Sequence, residues 1–62
     1  MSKLPAIGSR VRVPFGRRMV EGEVIDAYDS GYGPQVMVSI LLEGTDEPIT
    51  PTFDAEAVEL AA

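Results

Sequence analysis

The sequence predicts an all-β chain, a single small domain of about five short antiparallel strands closed or nearly closed into a barrel. Three observations carry that reading. Apolar residues recur at every second position instead of at helical spacing. The alternating runs are short and separated by Gly, Pro and Asp punctuation. With 62 residues and no Cys, the chain has room for one modest core and no disulfide or thiolate-metal staple.

The first strand is predicted over Arg10–Phe15, with Val11, Val13 and Phe15 on one face and Arg10, Arg12 and Pro14 on the other. Gly16–Arg17–Arg18 then reads as a turn. The second strand, Met19–Tyr28, breaks its own rhythm. Val20, Gly22 and Val24 share a face, but Ile25 falls on the other beside Glu23. A bulge or strong bend near Gly22 or Asp26 is the expected resolution. Asp29–Ser30–Gly31–Tyr32–Gly33–Pro34 reads as the longest turn.

The third strand, Gln35–Leu42, places Val36, Val38, Ile40 and Leu42 opposite Gln35, Met37, Ser39 and Leu41. Glu43–Gly44–Thr45–Asp46–Glu47–Pro48 links it to a fourth strand, Ile49–Phe53. Asp54–Ala55–Glu56–Ala57 looks like one helical turn, with Asp54 placed to cap its free amides. Val58–Glu59–Leu60 supplies the last strand. One domain spans residues 1–62, its core running from about 8 to 60, with no internal repeat, linker or low-complexity tract.

Charge is segregated along the chain. All five basic residues (Lys3, Arg10, Arg12, Arg17 and Arg18) precede position 19, and all ten acids follow position 20. The net charge of −5 therefore says little about any local surface, although it argues against nucleic acid and anionic membranes as partners. The start of the chain lacks the apolar run of a signal peptide, and the longest apolar stretch, Val36–Leu42, is too short to span a membrane. The expectation is a soluble cytoplasmic protein. Its branched-aliphatic content argues against disorder. A core this small supplies only about 3–5 kcal/mol, which makes oligomerisation an expectation too.

The Gly8–Ser9–Arg10–Val11–Arg12–Val13 opening, the Gly22–Glu23–Val24 of a bent second strand and the short turn before Val58–Glu59–Leu60 resemble an SH3-like barrel. KOW and Tudor-like modules share this pattern, and the resemblance implies binding of proteins or nucleic acids. The layout is also similar to the plasmid type II dihydrofolate reductases, which are SH3-like tetramers with one active site in a central pore. Their Gly-x-Arg-Val-Arg opening is present at Gly8, Arg10, Val11 and Arg12, and Gly22 matches a second-strand glycine. Thr50–Pro51–Thr52–Phe53 stands where that family carries Val-Gln-Ile-Tyr, so Pro51 and Phe53 replace the cofactor-contacting Gln and the Tyr. Val13 stands where the family has a Lys. The resemblance implies the scaffold without the active-site motif, since chemistry resides in the site. Nicotinamide-dependent dihydrofolate reduction is the minor, enzymatic alternative.

The chain contains neither His nor Cys, which removes the commonest general base and every Cys-His or Ser-His arrangement. The carboxylate pairs Asp26/Asp29 and Asp46/Glu47 lack the spacing of a Ca²⁺ loop and read as solvated turn residues. No catalytic, metal or cofactor site is expected.

Arg10 and Arg12 share the outer face of the first strand, and Arg17 and Arg18 occupy the adjoining turn. Antiparallel pairing of the first two strands should place Arg10 and Arg12 near Glu21 and Glu23, a contact that needs no ligand. Arg17 and Arg18 are freer to meet a partner. Tyr32 and Tyr28 flank the long turn and are candidate partner contacts, each weighed against a packing role at the barrel rim. Met37 and Leu41 face outward if the third strand's other face fills the core, and Ile25 and Met19 are candidates to join them in a self-association surface. The leading expectation is a non-enzymatic, self-associating interaction module that offers Tyr32, Arg17 and Arg18 to a protein partner. The alternative is a KOW- or Tudor-like nucleic-acid barrel, with Arg10, Arg12, Arg17 and Arg18 on phosphates and Tyr28 or Tyr32 stacking on bases.

Overall fold

Alternation of Val with charged residues builds the sheet, because it gives each strand one face to bury and one to hydrate. A computed structural model describes residues 4–61; Met1, Ser2, Lys3 and Ala62 lie outside the described residues. Five strands form in the order β1 (Arg10–Phe15), β2 (Arg18–Ser30), β3 (Gly33–Ser39), β4 (Thr52–Asp54) and β5 (Glu59–Leu60). A 3-10 turn, Ala55–Ala57, lies between β4 and β5. All neighbours pair antiparallel in one sheet ordered β4-β3-β2-β1-β5, so the two shortest strands form its edges. No described helix is long and apolar enough to cross a membrane.

The core is small and purely aliphatic: Val11, Val13, Val24, Val36, Val38 and Ile40, each fully or almost fully buried. Leu4, Val20, Ala27, Leu42, Phe53, Ala55 and Val58 pack around it, partly buried. The alternation expected for β1 and β3 holds at these positions. Phe15 departs from it: at the hairpin end of β1 it is exposed, because the buried cluster stops at Val13. Leu60 sits opposite Val11 in register but is 65% exposed, since β5 is an edge of only two residues.

β2 changes partners along its length. Arg18–Glu23 pairs with β1, and Glu23–Ser30 pairs with β3. The bulge expected in this strand lies at Ile25, where the register shifts between Val24 and Asp26. The extra residue keeps Val24 and Ala27 on the inner side and lets Tyr28 face outward. Gly22 has a different role. A Cβ there would lie 2.5 Å from Val38 Cγ1 and 2.7 Å from the Ser39 carbonyl oxygen, so β3 crosses β2 where the side chain is missing.

Both hairpins are tighter than the sequence suggests. Phe15 pairs with Arg18 around Gly16–Arg17. Gly16 takes φ +67° while Arg17 stays at negative φ, as a type II′ turn requires. The predicted long turn at Asp29–Pro34 is replaced by ladder running out to Ser30↔Gly33, which leaves only Gly31–Tyr32 in the turn. Ser30 Oγ holds it, donating to the Gly33 carbonyl (2.9 Å) and accepting from Tyr32 N–H (3.1 Å).

The later strands are shorter than predicted. β3 ends at Ser39, beyond which Ile40 and Ile49 form an isolated bridge; Leu41 and Leu42 therefore lie outside the strand, and β4 begins only at Thr52. Asp54 does not cap the 3-10 turn with its side chain. Its Oδ1 accepts instead from Gln35 Nε2 across the β3–β4 pair, at 3.1 Å.

Candidate interaction surfaces

The outer face of the sheet carries most of the residues singled out by the sequence. Arg10 is registered opposite Glu23 and Arg12 opposite Glu21, as the strand pairing predicts. The one ion pair among the described residues is Arg12 Nη2 to Glu59 Oε1 at 3.8 Å, reaching sideways to β5. Both partners are half-exposed or more, so the pair contributes about 0–1 kcal/mol. Arg10, Glu21, Gly22, Glu23, Ser39 and Leu41 line a shallow depression of about 370 Å³. Ser39 and Gly22 join the sequence candidates there because Ser39 is registered against Glu23, next to Gly22 on β2.

Charge on this face is thus mixed at close range. Arg10 and Arg12 sit among Glu21, Glu23 and Glu59, whereas Arg17 and Arg18 occupy the β1–β2 turn at one end of the sheet. The four arginines do not form one basic strip.

Alternation places Met37 on the outer side of β3, where it is half-buried and registered against Asp26 on β2 and Thr52 on β4. Ile25, the bulge residue, is its neighbour and 37% exposed. Leu41 is 63% exposed and lies two residues past Ser39, which is registered against Glu23. Met19 is exposed on the same side of β2 but opposite Pro14, six residues from Ile25, or roughly 20 Å along a strand. Glu21 and Glu23 separate the two. The structure therefore groups Ile25 with Met37, sets Leu41 beside them across Ser39, and holds Met19 apart.

No family model, curated protein or solved structure matches this chain.

The second group of candidates lies at the far end of the β2–β3 hairpin. Tyr32, at the tip, is 98% exposed on a turn clamped by Ser30. Tyr28 is exposed two ladder steps below the pair that closes the turn, registered against Gln35, which itself donates to Asp54. Arg17 and Arg18 lie at the opposite end of the 13-residue β2, so the structure does not bring them together with Tyr28 and Tyr32. Among the described residues no group of three or more His, Cys, Asp or Glu side chains could hold a metal ion.

The free strand sides around both hairpins are blunted. Hydrogen-bonded and non-bonded pairs alternate in an antiparallel ladder, and the pair closing each two-residue turn is bonded. Pro14↔Met19 and Asp29↔Pro34 are therefore non-bonded positions, and neither proline owes β2 an N–H. Their nitrogens face sides that β5 (reaching Val11 and Arg12) and β4 (reaching Gln35 to Met37) do not cover. On the free side of β2, Asp26 Oδ1 accepts the Ala27 N–H at 2.9 Å. Strand addition is disfavoured at each of these sides.

Proposed function

We propose that this chain is a non-enzymatic interaction module, built as an SH3-like small barrel, that associates with copies of itself through the outer face of β2 and β3. The barrel reading draws its support from the division of β2 between β1 and β3 with a bulge at the handover, and from the 3-10 turn that returns β5 to β1.

One observation carries self-association. Six apolar side chains are buried, all aliphatic, while nine large ones are exposed among the described residues. A core of that size supplies only a few kcal/mol. Covering exposed apolar surface with a second copy adds to it. Met37 and Leu41 are the central contacts, with Ile25 beside Met37; Met19 lies too far away to share the same patch. Arg17, Arg18, Tyr28 and Tyr32 remain available for other contacts. A nucleic-acid role draws less support, because Arg10 and Arg12 face Glu23, Glu21 and Glu59.

Sedimentation equilibrium over a range of concentrations at high salt tests this reading. A salt-resistant dimer or larger assembly is expected, falling to monomer in the Met37→Glu, Leu41→Glu double variant with its β-sheet circular dichroism intact. A wild-type monomer at every concentration sinks the idea. A double variant that fails to fold shows that this face is needed inside the monomer.

A further inference from the structure

The two hairpin turns carry complementary chemistry that a single copy cannot bring together. At one end of β2, Arg17 and Arg18 project from a tight turn flanked by the exposed apolar side chains of Phe15 and Met19. At the other end, Tyr32 stands fully in solvent, with exposed Asp29 and Tyr28 just below it and Asp26 behind them. No cation occurs in the sequence after Arg18, the first residue of β2, so nothing basic on the rest of that strand or on β3 balances Asp26 and Asp29. Eleven residue steps of strand run from Arg18 to Asp29, roughly 36 Å if straight, in a molecule 38 Å along its longest axis. An arginine side chain does not reach across that distance.

We propose that the Arg17–Arg18 turn of one copy docks on the Asp29–Tyr32 tip of a second copy, end to end. The guanidinium groups pair with Asp29 and lie against the face of Tyr32. Both turns are built to present these side chains at low entropic cost. The type II′ geometry at Gly16 fixes one, and the two Ser30 hydrogen bonds fix the other. The contact is heterologous, joining different surfaces of the two copies, so it propagates into chains or closes into rings unless the ends are capped. It goes beyond the outer-face association and fails independently of it: the outer face is apolar and holds at high salt, whereas this contact is charged, exposed and screened.

The test uses two variants of the full chain and sedimentation at low and high salt. Arg17→Glu with Arg18→Glu reverses one turn. Asp29→Lys with Tyr32→Lys reverses the other, and neither Asp29 nor Tyr32 makes a side-chain hydrogen bond in the described structure. Wild-type mass is expected to be higher at low salt than at high salt. Each variant alone should lose that increment, weakening association at least about tenfold. An equimolar mixture of the two should regain it, because the Arg turn of one meets the native tip of the other. An Arg17→Glu, Arg18→Glu variant with the same low-salt mass as wild type overturns the proposal, and so does a mixture no heavier than its components. Loss of the high-salt assembly while the low-salt increment persists counts against the outer face alone.

Discussion

Gly22 faces the core side of β2 opposite Val11, yet its role is set by β3. A methyl group there collides with a backbone carbonyl, which cannot rotate away as a flexible side chain does. Gly22→Ala is therefore expected to lower stability by about 1–3 kcal/mol, as overpacking does. Urea unfolding checks it: the midpoint should fall with the slope unchanged, and an unaltered midpoint means the crossing is looser than the geometry indicates. Alternation marks Gly22 or Asp26 as the place for a bulge or bend, and the register shift falls between Val24 and Asp26, beside the second of the two. The close approach that requires glycine involves Ser39 and Val38, far away in sequence. Ser30 was missed for the opposite reason. Its two short-range hydrogen bonds make the tip a two-residue turn, and a Ser beside Gly-Tyr-Gly-Pro reads as generic turn chemistry.

At the scale of elements, the Ile25 bulge governs which way the distal half of β2 points. Strict alternation after Val24 would turn Asp26 and Tyr28 inward and Ala27 outward. The extra residue restores Ala27 to the core side against Val36 and keeps Tyr28 outside. Deleting Ile25 should regularise the strand without reversing its faces. The expected variant folds cooperatively, keeps the β2–β3 cross-strand contacts of Ala27 with Val36 in nuclear Overhauser spectra, and loses twist at the handover between β1 and β3. Loss of those contacts would mean that the bulge sets register as well as twist. Pro14 and Pro34 sit at the two non-bonded positions nearest the turns, where a ladder tolerates them. That placement is not legible in the sequence, since which pairs are bonded depends on where each two-residue turn closes, and Asp29–Pro34 reads as a six-residue turn.

For the whole molecule, a six-residue aliphatic core beside a larger set of exposed apolar side chains means that the proposed self-association would be linked to stability. Assembly that binds the folded state alone raises apparent stability by mass action. The thermal midpoint is therefore expected to climb with protein concentration in wild type and to stay flat in the Met37→Glu, Leu41→Glu variant; a flat wild-type midpoint argues for a monomer. The sequence by itself determined the all-β class, the inward Val11, Val13, Val24, Val36, Val38 and Ile40, the irregularity in the second strand, and the pairing of Arg10 and Arg12 with Glu23 and Glu21. Each follows from period-two alternation and short-range pairing, which act on residues close in the chain or joined by one turn. Only the tertiary structure decided that Phe15 and Leu60 lie exposed, that Asp54 answers Gln35 instead of capping its turn, that Met19 is separated from Ile25, and that the Arg and Tyr turns occupy opposite ends. Those outcomes depend on where strands stop and which elements flank them, and strand length is fixed by long-range packing that local alternation does not encode.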